Sequence, residues 1–171
     1  MLDNRFIRSK DFVTLASAGS GFAALLAAPS CLQALELPAS AWLIALAVLL
    51  DGLDGRVARK RGHFNDFGRE LDSLADGISF GAAPAVFLFY HARQAVAIEL
   101  LLAACAFFLA CALIRLAKFN LQEDKKFFYG LPSPAAALAL VVLTLASPLA
   151  GVAGGIALGF AMTAAFKIPK I

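Results

Sequence analysis

The stretch from Asp51 to Asp76, DGLDGRVARKRGHFNDFGRELDSLAD, gathers six of the chain's twelve acidic side chains and five of its fifteen basic ones into 26 residues. The sequence on either side is nearly unbroken Ala, Leu, Val, Phe and Gly. So sharp a contrast marks either a water-facing loop or a polar site built against an apolar layer. The apolar runs are continuous rather than alternating, which excludes the strands of a membrane barrel and points to helices. At 61% hydrophobic and 16% charged residues, with mean hydropathy +0.80, the chain falls outside the range of soluble domains. Its 171 residues allow about six spanning helices of roughly 20 residues each and leave no room for a separate soluble domain. The expectation is an all-α integral membrane protein: a six-transmembrane-helix bundle, one domain over 1–171, with a short N-terminal interfacial helix.

Residues 1–10 alternate charge with Leu2, Phe6 and Ile7, which suits an amphipathic helix on the membrane surface, a polar tail being the alternative. The start of the chain is polar and no cleavable signal peptide is expected. The first span runs over about 11–33, with Asp11 and Thr14 at its beginning. The second starts near Ala41 and continues through Leu50 into the aspartate stretch, with Gly62 and His63 as punctuation. The third covers about 65–91 with a kink at Pro84, and the fourth about 94–120. A polar loop, QEDKKFFYG, leads to a fifth helix opening at Pro132 or Pro134 and ending near Pro148. A sixth, rich in Gly, occupies about 151–166 before the tail KIPKI.

Charge placement then sets orientation. If both termini and the 2/3 and 4/5 loops share one side, that side carries every Lys and Arg except Arg93. This asymmetry places both termini and the aspartate stretch at the cytoplasmic face of the cytoplasmic membrane. Cys31, Cys105 and Cys111 sit in or beside apolar runs without a CxxC spacing and read as small buried thiols. Nothing in the chain calls for a nucleic-acid partner. The small residues of helices one, five and six favour tight packing or a dimer seam.

On the second helix Asp51, Asp54, Gly55, Ala58 and Arg59 fall at offsets 0, 3, 4, 7 and 8, one helical face. On the third, Gly68, Asp72 and Asp76 fall at 0, 4 and 8, again one face. Two antiparallel helices joined by a short loop can turn these faces together and bring four carboxylates into one place. At the edge of hydrocarbon such a group repels itself and is expensive to desolvate, so it requires cations. Hard divalent ions with oxygen ligands fit best, and Mg²⁺ or Mn²⁺, as one ion or a pair, is expected. Gly55 and Ala58 leave a shallow slot on the same face, and Arg59 offers a bidentate phosphate contact. The stretch reads as a diphosphate site.

Taken together, Asp51-x2-Asp54-Gly55-x2-Ala58-Arg59-x8-Gly68-x3-Asp72-x3-Asp76 resembles the signature of the CDP-alcohol phosphotransferases, membrane enzymes with six core helices. The resemblance implies transfer of a phosphatidyl-type group from a CDP-linked lipid to a small alcohol with release of CMP. It further implies a metal pair on Asp51, Asp54, Asp72 and Asp76, with Asp76 as general base, and a homodimer. Donor nucleotide and phosphate contacts are implied at Thr14, Gly55, Ala58, Arg59 and Gly68. Ala16 and Ser17 depart from the family pattern, which often has Asn there.

LDSLADGISFGAAPA, IRLAKFN, GLPSPAAA and the ending FKIPK are similar to one branch, which joins CDP-diacylglycerol to L-serine. For the acceptor, Arg115, Lys118 and Gln122 recur at offsets 0, 3 and 7 at the cytoplasmic end of the fourth helix, and a cation there could hold a carboxylate. Asn120 is a further candidate for the amino-acid head. Glycerol 3-phosphate, an inositol phosphate or an archaeal ether-lipid donor are alternatives within the same chemistry. A divalent-cation transporter would be expected to carry midplane aspartates and an internal repeat, and the DGLDG motif has no echo in the second half.

Overall fold

The computed structural model describes residues 18–24, 39–61, 66–121, 127–164 and 167–169, with 53–61, 66–69, 127–129 and 167–169 described by backbone alone. Residues 18–24 are helical (α1). They are followed by α2 (Ala39–Arg61), α3 (Asp66–Asp76), a π-helical segment (Gly77–Ala82), α4 (Ala83–Ala92) and α5 (Ile98–Leu121). Strand β1 (Phe127–Tyr129), α6 (Ser133–Ala146), α7 (Pro148–Thr163) and β2 (Lys167–Pro169) complete the order. The expected interfacial helix at 1–10 lies outside the described residues.

The helix limits follow local chemistry. α2 ends at Arg61, directly before Gly62, where glycine's backbone freedom makes continuation costly. Helix α6 takes Pro132 as its N-cap residue and Pro134 within its first turn, where a missing N–H leaves nothing unsatisfied. Helix α7 likewise has a proline in its first turn and starts at Pro148, three residues earlier than the sequence indicates.

The third helix differs in kind from the expectation. It is helical throughout from Asp66 to Ala92, but Gly77–Ala82 is wound as π-helix, and Pro84 lies in the first turn of α4 just beyond. Proline offers no N–H to the preceding turn and crowds its carbonyls; a wider turn immediately upstream relieves both problems.

Among the described residues, two helical stretches are long and apolar enough to cross a membrane, Glu70–Ala92 and Ile98–Leu121. The apolar parts of α2, α6 and α7 are shorter. Large apolar side chains including Trp42, Leu49, Leu102, Leu113 and Leu121 are exposed. Exposed apolar surface on this scale is unfavourable against water and suits contact with lipid.

Among the described residues, two buried clusters hold the helices. In one, Leu88 of α4, Leu101 and Phe108 of α5, Leu140 of α6 and Met162 of α7 are buried together. In the other, Ala24 of α1, Ile44 of α2, Phe80 of the π segment, Phe87 of α4 and Val141 of α6 meet. Small residues permit the close approaches. Gly151 of α7 stands where a Cβ would lie 3.0 Å from Thr144 Cα, and at Gly159 it would lie 2.7 Å from the Phe107 ring. These α7 glycines are therefore used inside the bundle.

The basic tail also differs from the sequence reading. Lys167–Pro169 pairs as an antiparallel strand with Phe127–Tyr129, in the register Phe127↔Pro169, Phe128↔Ile168 and Tyr129↔Lys167. The loop between the fourth and fifth expected spans is thereby joined to the segment following α7.

Candidate metal and phosphate site

Helix α2 carries Asp51, Asp54, Gly55, Ala58 and Arg59 on one continuous helix, so their offsets do describe a helical face. Asp72 and Asp76 lie one turn apart on α3, the latter immediately before the π segment. The fold brings Asp51, Asp72 and Asp76 together: one carboxylate oxygen from each lies within 4.8 Å of the others, and all three residues are partly buried. The side chains of Asp54, Gly55, Ala58, Arg59 and Gly68 lie outside the described set, as does Thr14 entirely.

The donor set fits a hard cation. Opposite oxygens around an octahedral Mg²⁺ stand about 4.2 Å apart, given metal–oxygen distances near 2.1 Å, so modest side-chain adjustment closes this cluster on an ion. Three carboxylates this close repel one another strongly, and partial burial weakens the screening that water would supply. Asp51 and Asp72 also have interactions within the protein.

Positive charge reaches the cluster from α5. Arg115 lies within electrostatic range of Asp76 and Asp51. Its Nη1 donates to Ser133 Oγ at 2.5 Å, at the first residue of α6. Its Nε is buried and has no hydrogen-bond partner among the described residues. A guanidinium held at one edge with a donor unsatisfied is prepared to receive an anionic or carbonyl oxygen.

Lys118, one turn further along α5, is exposed. Asn120 donates from Nδ2 to Ser73 Oγ at 2.7 Å, next to Asp72 in the chain. Ser133 and Ser73 were not legible as site residues. The available signal for Ser133 was a serine set between Pro132 and Pro134 at a helix start; Ser73 carried none beyond its place between two aspartates.

Membrane-length apolar helices, with three carboxylates gathered beside Arg115 where α2, α3 and α5 meet, define a helical membrane protein with an acidic, metal-competent site. The chain belongs to the CDP-alcohol phosphatidyltransferase family, which it matches over residues 12–166. A CDP-diacylglycerol–serine O-phosphatidyltransferase of Methanocaldococcus jannaschii is 42% identical over 130 residues, covering 75% of this chain and 62% of that protein. One of the same description from Bacillus subtilis is 35% identical over 128 residues, covering 74% and 72%. An archaetidylserine synthase of Methanothermobacter thermautotrophicus is 38% identical over 138 residues, covering 79% and 57%. The chain thus spans less than two thirds of the length of the first and third of these relatives.

Proposed function

We propose that the protein transfers a phosphatidyl group from CDP-diacylglycerol to the hydroxyl of L-serine, giving phosphatidylserine and CMP. The observation that carries this reading is the meeting of Asp51, Asp72 and Asp76 within electrostatic range of Arg115, in a member of the CDP-alcohol phosphatidyltransferase family. The similarity to serine O-phosphatidyltransferases favours serine as acceptor.

In this reading Asp51, Asp54, Asp72 and Asp76 hold one or two Mg²⁺ or Mn²⁺ ions. When bound, such ions neutralise the donor diphosphate and stabilise the departing CMP. Asp76 accepts the proton of the serine hydroxyl as that oxygen attacks the lipid-bearing phosphorus. The phosphorus–oxygen bond to CMP then breaks, and CMP leaves with the electron pair. Gly55 and Ala58 flank the cytidine, Arg59 meets phosphate, and Thr14 and Gly68 complete the donor side. Arg115 takes the serine carboxylate, with Lys118 at the margin of that pocket; Asn120, expected there from the sequence, is bonded to Ser73 beside Asp72 and acts through the aspartates instead. A phosphorylated acceptor would demand a denser basic pocket than Arg115 and an exposed Lys118 provide.

The remaining architecture belongs to the same proposal. One domain over 1–171 forms six spanning helices with an interfacial helix at the N-terminus. Both termini and the site face the cytoplasm, and two copies associate as a homodimer. The short α6 and α7, roughly 21 and 24 Å long at 1.5 Å per residue, would span by local thinning of the bilayer. The likeness to an archaetidylserine synthase favours one second reading, in which the donor lipid is ether-linked and the acceptor is unchanged.

The deciding experiment incubates purified protein with CDP-diacylglycerol or its ether analogue, Mg²⁺ or Mn²⁺, and serine, glycerol 3-phosphate or inositol phosphate, and measures CMP. Serine-dependent CMP release is expected. Release with glycerol 3-phosphate but not serine would reject the acceptor, and no release with any acceptor would reject the reaction.

A further inference from the structure

We propose that Gly130 is a positioning residue for the acceptor side of the site: it lets the start of α6 lock against the end of α7, and that lock holds Ser133 against the Arg115 guanidinium. The proposal rests on the reading of Arg115 as the acceptor's carboxylate partner.

The Arg115–Ser133 hydrogen bond joins α5 to α6, two helices that touch each other little. Each of them packs extensively along α7 instead. The separation of the two side chains is therefore inherited from how α6 sits on α7. At that seam Gly130 is buried and has φ +73°, the only positive φ among the described residues. Left-handed backbone of this kind strains any residue with a Cβ.

Space excludes a side chain as firmly as conformation does. A Cβ at Gly130 would overlap the carbonyl oxygen of Met162 and stand 3.0 Å from its carbonyl carbon and 3.1 Å from the Ala161 oxygen. These are backbone atoms at the end of α7, with no rotamer by which to yield, and the Met162 side chain is itself buried in the core. The next residue fastens the same seam, since the Leu131 N–H donates to the Ala161 carbonyl at 3.1 Å. The β1–β2 pairing extends it, with Tyr129 opposite Lys167. Ser133, fully buried, follows Gly130 by three residues. Displacing Gly130 from α7 thus shifts Ser133, and Arg115 loses the contact that fixes its aim relative to Asp76.

The test is a double-mutant cycle on the full chain in detergent, with Gly130→Ala, Ser133→Ala and both together, reading KM for serine and for CDP-diacylglycerol separately. Each single change is expected to raise the serine KM about fivefold or more while moving the donor KM less than twofold. The pair should cost little more than either alone, because both remove one relationship. Independent and additive effects, or a loss confined to the donor KM, would overturn the proposal. If Gly130→Ala does not fold, a chain ending at residue 166 takes its place in the cycle and is judged by the same criteria. Amide exchange over 130–137 is measured alongside and is expected to rise in the Gly130 variant; unchanged exchange overturns the lock itself. A wild type that fails to release CMP with any of the acceptors refutes the reaction and the acceptor role with it, whereas the exchange result still decides the lock.

Discussion

Asn120 on the last turn of α5 donates from its side-chain amide to the Ser73 hydroxyl at 2.7 Å. Ser73 stands between Asp72 and Asp76, so this bond fastens the end of α5 to the helix that supplies two of the three clustered carboxylates. The two helices otherwise have a small mutual contact. Asn120 is thereby placed to steady the aspartates.

Asn120→Ala should therefore act on turnover. A hydrogen bond of this type contributes about 1 kcal/mol net, equivalent to roughly fivefold in rate if the misplacement is felt fully at the aspartates. The expected result is a several-fold lower kcat with the serine KM changed less than twofold. Steady-state CMP release at varied serine separates the two; a rise in serine KM alone would assign Asn120 to the acceptor pocket.

Removing one carboxylate from the cluster should have opposite effects with and without metal. In chelator, Asp51→Asn or Asp76→Asn relieves like-charge repulsion and should raise the melting temperature by a few degrees. In millimolar Mg²⁺ the wild type gains stability by binding, and the variants should gain less. Melting curves in detergent with EDTA and with Mg²⁺ test the crossing. Asp76→Asn should in addition abolish turnover while CDP-diacylglycerol binding persists.

Arg115→Lys tests the guanidinium. Lysine keeps the charge but loses the planar set of donors that lets one edge bond Ser133 while Nε remains open. The serine KM is expected to rise about tenfold, the order of one lost charge-assisted hydrogen bond, with the donor KM nearly constant. A matching rise in donor KM would place Arg115 on the diphosphate instead.

The sequence legibility of the molecule follows the range of its interactions. Helix limits at Arg61 and Ser133 are written locally, in Gly62 and in the Pro132–Pro134 pair, and the offsets already put Asp51 and Asp54 on one helical face and Asp72 and Asp76 on another. The π segment has no such signature, since Gly77–Ala82 would suit α-helix equally well and only Pro84 downstream hints at a disturbance. The β1–β2 ribbon joins residues about 40 apart through two three-residue strands, too short for any periodicity. Arg115 and Ser133 meet by way of a third helix, a relation that no spacing along the chain encodes.

A paired glycine substitution tests the packing that seats the site's third helix. Gly21 of α1 faces the π segment, where a Cβ would overlap the Ser79 hydroxyl and lie 2.7 Å from Ser79 Cα. Ser79 is fully buried, and its backbone cannot rotate out of the way as a long side chain could. Gly21→Ala should force α1 off the segment that follows Asp76, at a cost of about 1–3 kcal/mol for overpacking. Gly19, two residues earlier on the same helix, is exposed and has no neighbour among the described residues within 4 Å of the corresponding position. There alanine should be neutral or stabilising, by about 0.5–1 kcal/mol from its better helix propensity. Melting temperatures of the two variants in one detergent should therefore move apart, Gly21→Ala downward by several degrees and Gly19→Ala level or upward. Equal shifts would show that α1 does not bear on the π segment at Gly21.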